Sequence, residues 1–280
     1  MEALTHPRWT RLMPDAFHEC LEIKSEISRL RPEWIWAHKN TASQEKIRHD
    51  WTRLHGGFWD RARRDTHGER ERIDVGGAIE TARTAAREAR KYGSSLHVDF
   101  RDAAFQTINV QFKTPIPGWT GEAVEFWRFD ALANFFTAMH SSGHPYIDWL
   151  DGEINLRMVL QRAAELTHFW LHEVDKTRMP RHWLRSAFEF QQQFHKVTDG
   201  TPCDAQLGSY LVDVDLMLSA DKNLVRMAKR CEREAPFTMA HSRAIPAGVD
   251  AVGAVMDALK EPEVGVPSNR SRAEPFCAVV

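Results

Sequence analysis

Apolar residues recur at helical spacing through most of this chain and gather into short continuous runs near its two ends. Phe17, Cys20, Leu21, Ile23 and Ile27 share a 3.6-residue period, which predicts a helix from about Pro14 to Leu30. A proline in the first turn is tolerated because its missing N–H would be unpaired there anyway. The apolar segment Trp9 to Met13, stopped by Pro14, reads as a strand. Ile47, Trp51 and Leu54 after Ser43 and Glu45 suggest a second helix, which breaks at Gly56-Gly57. From Arg61 to Arg90 the chain is rich in Arg and Glu around a stripe of Ala78, Ile79, Ala82, Ala85, Ala86 and Ala89, the pattern of a solvated helix with i,i+4 ion pairs. Leu96 to Phe100 and Thr107 to Phe112 read as short strands or turns. From Glu122 to Phe194 the period is helical again, interrupted at Gly143-His144-Pro145 and at Pro180. Ile154, Met158, Ala163, Leu166, Phe169, Trp170 and Val174 form one long apolar face there.

The character changes after residue 200. A helix from about Pro202 to Val212, a strand from Val214 to Ser219, a helix from Asn223 to Glu234 and a strand from Phe237 to Ala240 alternate as in a parallel sheet. An Ala/Val-rich helix follows at about Val249 to Leu259, and residues 261–280 read as a flexible tail. The expected architecture is therefore α/β: residues 1–30 and 200–260 form one α/β domain from the two ends of the chain, and 31–199 form a mostly helical insertion.

Composition narrows this picture only a little. The 280 residues are 42% apolar and 27% charged, ordinary for a globular protein, and a net charge of −2 gives no global basic field. Ten tryptophans read first as packing anchors, with stacking platforms for bases as the sharper alternative. Cys20, Cys203, Cys231 and Cys277 form no CxxC pair, which points to free thiols and a reducing, cytoplasmic setting. No apolar run is long enough to span a bilayer, and Met1 to Arg11 lacks the apolar segment of a signal peptide.

The strongest candidate chemistry lies in two aspartates, Asp204 and Asp221, seventeen positions apart. A helix opening near Asp204 and a strand ending at Ser219 would bring both acids to one edge of a sheet, where parallel folds gather ligands. Asp215 falls at the opposite, starting end of that strand, and Asp213 closes the preceding helix. His168 and His172, with Glu173 next to them, run H-x-x-x-H-E and do not match the H-E-x-x-H of zinc proteases. There is no G-x-x-x-x-G-K-[ST], G-x-G-x-x-G or G-x-S-x-G loop.

The run Asp204, Ala205 to Val212, Val214 to Leu218, then Ser219-Ala220-Asp221-Lys222-Asn223-Leu224, resembles the C-terminal half of a PIN-like (PilT N-terminal type) nuclease domain. Leu12-Met13-Pro14-Asp15-Ala16-Phe17-His18-Glu19 resembles that family's second strand and the helix after it, with Glu19 as the acid one turn in. The resemblance covers about 20 residues at the start and about 45 near the end. It implies a PIN-like three-layer parallel sheet and a Mg²⁺- or Mn²⁺-dependent endoribonuclease that hydrolyses RNA phosphodiester bonds, toxin-like in some members. It implies Asp204, Asp221 and Glu19 as catalytic metal ligands, with Ser219 and Lys222 supporting a ligand carboxylate and a substrate phosphate. Partners implied are RNA, an antitoxin, or a second copy of the chain, with no membrane. The family's first strand, which ends in a further metal-binding Asp, has no counterpart before Trp9. The expectation is that it is missing upstream of Met1, with Asp99 after Leu96 as the rival for its place. The alternatives are a catalytically inactive PIN-like binding or interaction protein, and a helical regulatory protein.

Overall fold

A computed structural model of the chain describes residues 15–38, 45, 80, 84, 87–88, 116–141, 144–194 and 201–260. The strand expected at Trp9 to Met13, the segments around Asp99 and the tail after 260 lie outside the described residues. The described part is α/β, mostly helical, with one small parallel sheet.

Helix α1 (Asp15–Leu30) forms where the period predicts it. Cys20, Ile23 and Ile27 are buried on its core face. A single turn, Pro32–Trp34, then brings Trp34 into the core, and Ile35 makes an isolated antiparallel bridge to Ile154. From residue 116 to 194 the described helices are α2 (Phe126–His140), α3 (Pro145–Leu150), α4 (Leu156–Gln161), α5 (Ala163–His168) and α6 (Pro180–Gln192). Phe169–Glu173 between α5 and α6 is a π turn.

The C-terminal part is a helix α7 (Thr201–Ser209), a 3₁₀ turn at Tyr210–Val212, strand β1 (Leu216–Ser219), helix α8 (Lys222–Glu234), strand β2 (His241–Ala244) and helix α9 (Ala251–Lys260). β1 and β2 are parallel, with Leu216 opposite His241 and Ser219 opposite Ala244, and α8 is the crossover between them. The second strand thus begins one residue after the segment expected at Phe237 to Ala240. Phe237 packs edge-on against Trp183 and Met239 is buried, so those apolar residues serve the core as an irregular approach to the strand. Two strands are the whole of the sheet among the described residues.

One contiguous core joins both ends of the chain to the central helices. Ile23 and Ile27 of α1, Trp127 and Phe135 of α2, Trp170, Phe188 of α6, and Leu224 and Met227 of α8 belong to it. Trp34, Trp127 and Trp170 are fully buried, so these tryptophans act as packing anchors. α7 lies directly on α6: a Cβ built on Gly208 would stand 2.5 Å from the Phe188 ring. That close approach is how the helix carrying Asp204 is seated.

Candidate functional site

β1 ends at Ser219, and Asp221 follows as the N-cap of α8. Its Oδ1 accepts hydrogen bonds from the backbone N–H groups of Asn223 (2.7 Å) and Leu224 (3.1 Å). An aspartate serves well here because its carboxylate satisfies N–H groups that the first helical turn leaves unpaired. The Asp221 N–H in turn donates to Ser219 Oγ at 3.0 Å. Ser219 therefore shapes the turn that presents Asp221.

Asp204 sits in the first turn of α7, half-buried. Burial pushes its carboxyl up to about 6, and the negative charge of Asp221 adds to the effect. Asp221, just beyond the C-terminal end of β1, is thus within electrostatic reach of Asp204. Lys222 is exposed next to them, on the rim of a groove along α8. Asp215 precedes β1 at its other end, and Asp213 pairs with Arg181 at 2.5 Å.

Glu19 has a different set of neighbours. It is fully buried, accepts a short hydrogen bond from the Tyr146 hydroxyl, and pairs with Arg185 Nη2 at 2.7 Å. The charge that acts on Asp204 is that of Asp221. Among the described residues no three His, Cys, Asp or Glu side chains gather as a metal-binding group.

Glu19 belongs to an acidic ridge that α1 turns inward. Glu19, Glu22 and Glu26 recur at i, i+3 and i+7, so they share one helix face. Glu22 accepts from the Arg181 N–H at 3.1 Å and lies 2.9 Å from His182 Nδ1, so it caps the start of α6 from another helix. Pro180 opens α6 but Met179 supplies no side-chain cap, which leaves that role to Glu22. Glu26 holds Arg29, Arg178 and the Asp175 N–H.

A second acidic group surrounds Arg185. Asp130 of α2 accepts from the Ser186 hydroxyl and from Asn134 Nδ2 at 3.3 Å. Burial raises its carboxyl against the pull of Ser186, Arg185 and His182. Glu189, one turn beyond Arg185, has its carboxyl pushed up by burial and by the charge of Asp130. Sequence reasoning did not single out Asp130, Arg185 or Glu189. The available signal was their charge on helices otherwise devoted to the core: Arg185 and Glu189 lie at i,i+4 in α6, among Leu184, Ala187 and Phe188.

His168 and His172 stack with ring centroids 5.0 Å apart, and each is tied to its own carboxylate: His168 to Glu173 at 3.4 Å and His172 to Glu122 at 2.8 Å. Glu173 is also held by Arg31 at 2.5 Å, so the histidine pair belongs to a surface ion-pair network. No helix among the described residues is long and apolar enough to cross a membrane. Comparison with protein-family models, with curated proteins and with solved structures finds no match.

Proposed function

We propose that Asp204 and Asp221 form a divalent-cation site for phosphodiester hydrolysis, on a PIN-like scaffold whose substrate is RNA. The supporting observation is that the charge of Asp221, just after β1, reaches the half-buried Asp204 of α7, whose carboxyl burial and that charge push up to about 6. A cation relieves that repulsion, and Mg²⁺ is commonly held by one or two carboxylates plus substrate phosphates, so this donor set fits it. Mg²⁺ or Mn²⁺ bound there would acidify a water and neutralise charge on the phosphate. Asp221 commits Oδ1 to capping α8, which leaves Oδ2 for the ion. Ser219 fixes the turn, and Lys222 holds a phosphate oxygen.

A Mn²⁺ titration followed by thermal unfolding tests the site, because an ion that binds only the folded state raises Tm. The expected result is a rise in Tm that Asp204→Asn with Asp221→Asn abolishes, together with Mn²⁺-dependent cleavage of a fluorescent RNA. A rise that survives the double substitution overturns the assignment. The engagement of Glu19 with Tyr146 and Arg185 favours a second reading, a PIN-like interaction module without catalysis. A Mn²⁺-induced rise in Tm with no cleavage supports that alternative.

A further inference from the structure

Helix α8 carries Lys222, Arg226, Lys229, Arg230 and Arg233. At 3.6 residues per turn they fall within an arc of about 100° and run about 16 Å along the axis. The opposite face holds Leu224, Met227, Ala228 and Cys231 in the core. Of the acids on the same helix, Glu232 pairs with His241 off the row, and Glu234 pairs with Arg230 at 3.2 Å and offsets that one cation. Arg226 donates to Asn223 Oδ1 at 3.2 Å. Lys222, Lys229 and Arg233 have no acidic partner among the described residues, and all three are exposed.

These five cations line a groove of about 590 Å³ with Gln191, Val225 and Ala244, and among the described residues no carboxylate lines it. An ordinary solvated helix face mixes both signs of charge, as in i,i+4 pairs. Here cations are concentrated on a concave surface of a chain whose net charge is −2. The groove is larger than one phosphate needs. Arginine forks match phosphate oxygens in pairs, and a row of cations at helical spacing follows a repeating anion.

We infer that the α8 groove is a binding track for the sugar-phosphate backbone of a single-stranded nucleic acid. The inference rests on the proposed hydrolase reading at one point only. The track starts at Lys222, beside Asp221, so a strand lying in it would reach the acid pair. The cations alone carry the rest. RNA and DNA share this backbone chemistry, and the test separates them.

Fluorescence anisotropy with fluorescein-labelled oligo-U and oligo-dT, in EDTA and at low salt, measures binding by the full chain. The expected affinity falls with salt at a log–log slope of about −2, corresponding to about three neutralised phosphates on a single strand. Lys229→Glu with Arg233→Glu is expected to weaken binding at least tenfold, and the charge-neutral Lys229→Gln with Arg233→Gln to weaken it less. Thermal unfolding of both variants verifies that they fold. Tighter binding of oligo-U than of oligo-dT assigns the track to RNA, and equal binding assigns it to either strand. The inference is overturned by a wild-type protein that binds neither oligonucleotide, by folded variants that bind as well as wild type, or by polyglutamate binding the groove equally well. Oligo-U binding in EDTA without cleavage in Mn²⁺ removes the hydrolase reading and leaves the track. Cleavage with no loss in the variants removes the track and leaves the hydrolase.

Discussion

Glu26 and Asp204 show what neighbours do to a carboxylate. Glu26 is fully buried, yet its carboxyl is held below the usual range. Burial works against its charge there, and hydrogen bonds from Arg29, the Asp175 N–H and Arg178 outweigh it. Asp204 is only half-buried, yet its carboxyl is raised, because burial acts on it with no cation among the described residues to offset it and the charge of Asp221 adds to the rise. The charge at Glu26 is used up inside the fold. The charge at Asp204 is left in tension with Asp221, which a structural role alone does not require. Burial alone is therefore a poor guide to which acids are poised for a ligand; partners decide it.

The largest effect expected from breaking this contrast comes from Glu26→Gln. It leaves two arginines around a buried neutral amide, and removing one partner of a buried ion pair typically costs about 3–5 kcal/mol. Arg29 and Arg178 are nearly half exposed and regain some solvation, so a loss near the lower end, about 3 kcal/mol, is expected. Urea unfolding of the variant measures it. A loss below about 1 kcal/mol would mean that the network does not hold α1 to the segment before α6.

A smaller effect is expected from Gly208→Ala, which sharpens the other half of the contrast. The new methyl would meet Phe188 Cδ2 at 2.5 Å and Cε2 at 2.7 Å, so α7 must move off α6 or the ring must turn. Overpacking of this kind costs about 1–3 kcal/mol. Because α7 carries Asp204, the same shift should weaken any Mn²⁺-induced rise in Tm, an effect that Glu26→Gln should not share.

These two acids also mark how far the sequence could be read. Periodicity made α1 legible, since Phe17, Cys20, Ile23 and Ile27 define its core face by spacing alone. The alternation of helix and strand after residue 200 was equally plain, and it put Asp204 in the first turn of α7 and Asp221 at the turn from β1 into α8. Glu19 was read from the same helix by position. Its partners, Tyr146 and Arg185, come from 127 and 166 residues away, and nothing local encodes those meetings. The acidic ridge was hidden for a related reason. Glu19, Glu22 and Glu26 resemble a solvated face in a pattern of polar and apolar letters, and only tertiary packing turns that face inward. The beginning of β2 slipped because Phe237 and Met239 look strand-like, although they pack as loop residues in the core.

The smallest expected effect distinguishes repulsion from packing at the acid pair. Asp204→Asn removes one of two like charges while keeping the shape of the side chain. At pH 7.5 the wild-type folded state carries a charge disfavoured by burial and by Asp221, so the variant should be at least as stable, by at most about 1 kcal/mol for a partly solvated pair. The sign follows from linkage. The folded carboxyl titrates near 6 and the unfolded one near 3.8, so between those values the folded state binds more protons and its stability falls as pH rises. Below about pH 3 both states of the wild type are protonated and the advantage of the variant should vanish. Paired unfolding curves at pH 7.5 and pH 3 measure the difference. A variant less stable than wild type at pH 7.5 would show that Asp204 serves α7 as a first-turn acid favoured by the helix dipole, and the tension with Asp221 would then not be what sets this site apart from Glu26.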